Sequence, residues 1–369
     1  MLDGEDIIGR WVAQGGAFVW FREPGQRVCR GIRASLSSLE SFPDIPSLDG
    51  KTGFVFAPFR IGEGHPLWLL PFGEEVSVRM PAASEAGETE APVPVEFGGR
   101  LERSPSADYG CVFREFSTAL RQGAFRKLVL SRRSTEALPG DFSWARAFYA
   151  ACRRYVRSYV YLFHTPHTGF WLGATPEILL AGGEGAYRTM ALAGTQALCH
   201  GEPEGPWSEK NIREQAFVTE YINERLRLCG LVPEAEGPYT VTAGELAHLR
   251  TDICFALSSS DRIGSLLQDL HPTPAVCGLP APEAFRFIGR HEGYDRSYYA
   301  GFLGCLSPAG HTALYVNLRC MQGIGAQGIR LYAGGGLLPA SVCEEEWLET
   351  ERKMQTMKYV ISKGLRHVF

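Results

Sequence analysis

The stretch IRLYAGGGLLPASVCEEEWLETERK, residues 329–353, reads as one complete structural unit. Ile329 to Ala333 alternates in the manner of a strand. Gly334, Gly335 and Gly336 mark a tight turn where bare backbone can approach an anion closely. Ser341, with Glu344 three residues on, has the form of an S-x-x-E capping box, which predicts a helix starting near residue 342. Trp347, Met354, Met357 and Ile361 then form one apolar seam, Glu346, Glu349 and Lys353 share a flank of it, and Glu345 points to solvent. Taken alone, such an acidic first turn is explained well enough as a solvated complement to the helix dipole.

Working outward, helical patterns at Phe113–Phe125 and Phe142–Tyr155 interleave with strand patterns at Leu128–Ser131, Tyr159–His164, Phe170–Leu180 and Ala313–Cys320. That mixture predicts an α/β or α+β fold, with sheets flanked by helices. Pro81–Phe97, rich in Pro, Ala and Glu, reads as a loop or weak linker. It separates a strand-rich N-terminal portion of the same fold, residues 1–97, from residues 98–369, which carry the chemistry. Segments such as GGAFVWF and TGFVFAPF in the first portion point to strands and to no reaction.

A second acidic helix spans Ser208 to about Leu228, with Ser208 as its cap. Glu214, Phe217, Val218 and Tyr221 fall on one face, so a carboxylate shares the side that apolar residues bury and needs a cation or strong donor. Carboxylates from two helices, with no matching His or Cys, suit a hard oxygen-seeking cation such as Mg²⁺. Arg319 in YVNLRC alternates with apolar neighbours as on a strand, where it can face a pocket as a carboxylate clamp or form a structural pair.

Composition narrows the rest. The 369 residues are 45% hydrophobic, enough for one large domain or two ordinary ones. A net charge of −4, from 37 basic and 41 acidic residues, leaves no electrostatic footprint for nucleic acid or an anionic membrane. MLDGEDIIGRW lacks a basic segment followed by an apolar one, and no run of eighteen apolar residues occurs, so a cytoplasmic, unexported protein is expected. Ten cysteines stand singly with no CxxC pair, as expected for buried reduced thiols without a nucleophilic role.

In order along the chain, KLVLSR, GATPEILL, ALAGT, AHLRT, LHPTPAVCGLP, YDRSYYAGFLG, and AGGGLLPAS followed by EEEWLETERK resemble motifs of the chorismate-utilising enzymes, most closely the isochorismate synthases. The similarity covers about residues 100–365. It implies one large α/β domain with its active site in a cleft between two halves, a small-molecule substrate, chorismate, and Mg²⁺ held against the ring carboxylate. Glu214 and Glu349 match the direct metal ligands, with Glu346 acting through water. Arg319, Gly334, Gly336 and Lys353 match positions that hold substrate carboxylates; Gly194, Thr195, His248 and Thr273 match other pocket positions.

The resemblance also bears on the reaction. Relatives that use ammonia carry Gln where this chain has Lys127, and the aminodeoxychorismate type carries Lys where this chain has Ala193; both differences imply water as nucleophile. A lysine can act as a base near neutrality only where burial or nearby positive charge disfavours its ammonium form, and the run Leu128–Leu130 suggests a buried strand for Lys127. Glu177, after a proline-led turn, is expected to stay protonated and to protonate the departing C4 hydroxyl while Lys127 activates water for attack at C2. The implied activity is that of an isochorismate synthase, an isomerase acting as a monomer without a glutaminase subunit, its product serving menaquinone or siderophore biosynthesis. The alternatives are a salicylate synthase, which goes on to eliminate pyruvate, and an inactive chorismate-binding homologue. Three departures from the motifs stand out: Asn211 where relatives often carry an acidic residue, expected to weaken metal binding, Gly335 for alanine, and Cys277 at a small-residue position.

Overall fold

The computed structural model describes residues 4–81 and 104–365, apart from residues 139, 200, 204, 258–259 and 326–327. Nearly all of the proposed linker therefore lies outside the described residues. The rest forms two large antiparallel sheets flanked by helices. The first sheet runs, edge to edge, Gly278–Leu279, Lys127–Ala137, Gly328–Leu337, Cys320–Ile324, Gly169–Thr175, Tyr159–Thr165, Ala17–Arg22, Val28–Ala34 and Glu74–Arg79. The second runs Glu234–Ala243, Leu246–Ala256, Ala186–Cys199, Ile178–Gly183, Thr312–Val316, Phe302–Leu306, Gly53–Ala57, Leu67–Leu70 and Glu40–Phe42, with Glu202–Pro203 beside Ala186–Cys199. N-terminal strands thus complete both sheets.

The apolar run AFVWF is explained by burial on both faces. Val19 and Phe21, with Phe163 beside Val19 on the neighbouring strand, point into a core between the sheets and face Phe54 and Phe56 of the second. Phe18 and Trp20 alternate to the other side and meet the helices Gly4–Gln14, Trp144–Arg154 and Cys343–Lys363, represented by Trp11, Phe148 and Met354. Helix Glu209–Leu228 buries Val218, Ile222 and Leu226 in the inter-sheet core, so Glu214 is carried in on its apolar face as its phase implies.

Two expected strands are each broken in the structure. Phe170–Leu180 divides into Gly169–Thr175 of the first sheet and Ile178–Gly183 of the second; Pro176, lacking an N–H for the ladder, stands at the break. Ala313–Cys320 likewise divides, and Arg319 lies between the pieces with φ +48°, in the left-handed region, rather than on a strand. The two crossings lie side by side: the Thr175 hydroxyl donates to Val316 O (2.6 Å), Val316 N to Glu177 O (3.0 Å) and Ala174 N to Arg319 O (3.0 Å). Chain exchange between the sheets therefore brings Glu177 and Arg319 together.

Other expectations are corrected nearby. Gly334–Gly336 is no turn but the end of strand Gly328–Leu337, paired with Ser131, Leu130 and Val129. The last helix begins at Cys343 with Val342 as its cap and no side-chain cap bond; Ser341 lies one residue too early and its hydroxyl accepts from Leu338 N instead (3.0 Å). The helix expected at Phe113–Phe125 is Ala107–Arg121, because Ser106 caps it by accepting from Tyr109 N. Only Cys29, Cys152, Cys277, Cys305 and Cys320 are buried; Cys111, Cys199, Cys229 and Cys254 are exposed.

One buried ion pair fastens the strand that begins at Lys127. Arg296 donates to both carboxylate oxygens of Glu292 (2.6 Å each) and to the carbonyls of Val129 (2.9 Å) and Val276 (2.7 Å), while Glu292 accepts from Ser131 N and Oγ. Glu292→Ala is expected to cost about 3–5 kcal/mol in chemical denaturation, since it leaves a guanidinium buried without its countercharge. A loss below about 1 kcal/mol would contradict that account.

Candidate active site

A cavity opens where the two crossings meet, with about 640 Å³ between its walls when the open mouth is included. Glu177 and Arg319 enter it from the crossings, Gly194, Thr195 and His248 from the second sheet, and Gly334 and Gly336 from the first. Helices contribute Glu214, Glu349 and Lys353. Three expected site residues stand behind this wall. Lys127 is fully buried with Nζ 3.0 Å from Glu214 Oε1, Glu346 lines an adjoining cavity, and Thr273 is buried, its carbonyl accepting from Val276 and Cys277 N. It is Ala275 and Val276, two and three residues later, that face the cavity. Tyr299, within the YDRSYYAGFLG motif, also lines it, although nothing in its spacing distinguished it from core aromatics.

Burial pushes the Glu177 carboxyl up to about 8 even though Lys127 and Lys353 draw it down, so it is mostly protonated at neutral pH. Arg319 donates to His248 Nε2 (3.0 Å), which fixes the neutral tautomer: Nε2 carries the lone pair, and Nδ1–H donates to Gly194 O (3.0 Å), with Thr195 Oγ1 at 3.3 Å. Burial first, then the charges of Arg319 and Lys353, lower His248 to about 3, so it remains neutral. Gly194, at φ +75°, sits at the register shift that turns this carbonyl inward. No carboxylate among the described residues pairs with Arg319, whose guanidinium burial pushes down. It is therefore a buried cation available to an anionic ligand.

Side chains missing from the glycine strand let carboxylates close on it from both faces. A Cβ at Gly336 would lie 1.9 Å from Glu214 Oε1; one at Gly335 would lie 3.2 Å from Glu346 Oε2 and 3.3 Å from Glu349 Oε1. Each carboxylate meets an ammonium: Lys127 for Glu214, Lys210 for Glu346, and Lys353 for Glu349 (2.6 Å). Lys127 Nζ lies off the hydrogen-bond direction, so it is matched in charge yet unsatisfied as a donor. Burial and then the Glu349 charge raise Glu346 to about 7; burial also acts to raise Glu349, but Lys353 and Lys210 outweigh it and hold that group below its ordinary value. Lys210 was not singled out in the sequence, although it lies one turn before Glu214 and directly after the helix start. Asn211 places its amide 3.5 Å from Thr195 O, where a carboxylate could not donate.

The donor set fits a divalent cation. It consists of carboxylate oxygens alone, and Glu346 Oε2 is buried with no partner. Among the described residues no group of three or more Asp, Glu, His or Cys side chains stands placed to hold a metal ion, so an ion here would take at most two protein ligands directly and keep positions for water and substrate. No helix among the described residues is long and apolar enough to cross a membrane.

Comparison with known proteins agrees with this architecture. A family model described as chorismate binding enzyme matches residues 85–362. Isochorismate synthase MenF of Escherichia coli is 32% identical over 249 residues, covering 66% of this chain and 57% of its own length. The salicylate biosynthesis isochorismate synthase of Pseudomonas aeruginosa is 35% identical over 265 residues, covering 66% and 52%. The matches thus span a little over half of these relatives. The solved structure of the menaquinone-specific isochorismate synthase MenF from E. coli superposes with a TM-score of 0.76 at 24% identity over 98% of this chain and 91% of that one, a likeness of fold.

Proposed function

Because this chain belongs to the chorismate binding enzyme family, we propose that it is an isochorismate synthase, converting chorismate reversibly to isochorismate. The observation that carries this reading is a cavity that sets a protonated, buried carboxyl at Glu177 beside Arg319, which no carboxylate among the described residues pairs, with Lys127 buried just behind its wall. Chorismate bears two carboxylates, and Arg319 with Lys353 supplies cations to hold them. Lys127, as the free amine, takes a proton from water as the oxygen bonds to C2; both ring double bonds shift, the C4–O bond breaks, and Glu177 gives its proton to the departing hydroxide, after which the proton on Lys127 returns to Glu177 through solvent. One water enters and one leaves, so the net change is an isomerisation. His248 holds Arg319 in place, and Gly194 and Thr195 fix His248 in turn.

Glu214 and Glu349 would hold Mg²⁺ directly and Glu346 through water. When bound, the ion supplies fixed positive charge for the ring carboxylate. Thr273 supports the Ala275–Val276 wall from behind. The test is to incubate the purified protein with chorismate and Mg²⁺, then with isochorismate, and to separate the products chromatographically alongside a coupled pyruvate assay. Both directions should reach one mixture of the two compounds with little pyruvate. Pyruvate released in step with chorismate loss would replace this reading with a salicylate synthase, and no conversion at all would leave a binding protein.

A further inference from the structure

Lys210 occupies a position that its own helix disfavours. It is the second residue of Glu209–Leu228, where the helix dipole opposes a cation. What holds it there is the opposite helix: its ammonium contacts Glu346 Oε1 and lies in the fields of Glu349 and Glu214 as well. All three are the carboxylates assigned above to the metal, so an ammonium already sits where a dication's charge is wanted. Its side chain remains 26% exposed, and Thr195, Ser208, Glu345 and Arg352 line an open cavity beside it into which it can turn. Lys127 and Lys353, by contrast, are 0% and 14% exposed. Of the three lysines on the cradle, Lys210 is the one with room to leave.

We propose that Lys210 is a tethered counter-ion that neutralises the Glu346–Glu349 cradle while no metal is bound and swings outward when Mg²⁺ enters, so that its displacement sets metal affinity. This rests on the reading of Glu214, Glu346 and Glu349 as the metal carboxylates. Two ammonium groups remain beside the carboxylates after the exchange, and the third moves to water, which keeps the site close to neutral in both states. An intramolecular competitor of this kind weakens binding by the factor that its own contact is worth.

The test is run on the full chain without substrate. Amine acylation, read residue by residue by peptide mass mapping, is compared at zero and saturating Mg²⁺, with bound metal measured in the same samples. Lys210 should acylate several-fold faster with metal, while Lys51, which lies before strand Gly53–Ala57 and pairs with Glu40, is unchanged. In parallel, Mn²⁺ affinity is measured by calorimetry for the wild type, Lys210→Gln and Lys210→Arg. The glutamine variant should bind about tenfold more tightly and the arginine variant no more tightly than wild type. Equal or slower acylation of Lys210 with metal bound, or a glutamine variant that binds no better, overturns the inference and leaves the metal assignment standing. Absence of bound Mn²⁺ in every protein overturns both. Should the glutamine variant fail to fold, the acylation of the wild type decides alone.

Discussion

Glu177→Gln is expected to lower kcat by about 10²–10⁴-fold, the usual contribution of a positioned acid, while changing KM and Mn²⁺ affinity little. Glutamine keeps the shape of a protonated carboxyl but has no hydroxyl proton to release. The carboxyl touches no metal ligand, and its anchorage is through backbone, with Glu177 O accepting from Val316 N, so folding should be unaffected. The wild type supplies an internal check through pH. An acid works in its protonated form, and the folded Glu177 carboxyl loses its proton as pH rises through about 8, so kcat should show a limb that falls above that value. In the glutamine variant this falling limb should vanish from the residual rate. Lys127→Met should match the loss in kcat, with the difference that Glu214 loses its countercharge and Mn²⁺ binds more tightly. A glutamine variant with near-normal kcat would end the assignment of Glu177 as the acid, and a limb persisting unchanged would assign it to another group.

What the sequence revealed of this site follows from which interactions are local. Glu214 was legible because helix phase is local: a carboxylate at i with Phe217, Val218 and Tyr221 at i+3, i+4 and i+7 has to enter the core. Glu346, Glu349 and Lys353 were legible for the same reason, and Glu346 is indeed buried while Glu345 is exposed. The crossings were not. Alternation from Phe170 to Leu180 looks the same whether one strand continues or two strands join different sheets, and only the pairing partners decide. Pro176 was the one available signal of the first break; the second, at Arg319, had none, since a left-handed arginine leaves no mark on composition. Lys210 escaped notice because its partners come from a helix more than a hundred residues away.

Gly336→Ala is expected to damage the site far out of proportion to the single methyl group it adds. Neither Gly335 nor Gly336 has positive φ, so alanine fits both backbones and only the added atom matters. At 336 that atom would stand 1.9 Å from Glu214 Oε1, 2.7 Å from Glu214 Cδ and 2.9 Å from Lys127 Cε. The ion pair between a proposed metal ligand and the proposed base must then open, and displacing both groups by about 1 Å should cost about 10²-fold or more for each, some 10⁴-fold in kcat/KM together. Overpacking adds about 1–3 kcal/mol of destabilisation. At 335 the nearest atoms are the carboxylate oxygens of Glu346 and Glu349 at 3.2 and 3.3 Å, the free ends of flexible side chains that can retreat by a few tenths of an ångström. Gly335→Ala should therefore keep kcat/KM within about threefold and shift Mn²⁺ affinity modestly, in keeping with the alanine that related motifs carry there. Measured side by side, kcat/KM and Mn²⁺ affinity must separate the two variants by at least two orders of magnitude. Equal losses at both positions would mean that the strand tolerates no side chain at all, and near-normal activity at 336 would show that Glu214 and Lys127 do not act from the positions described.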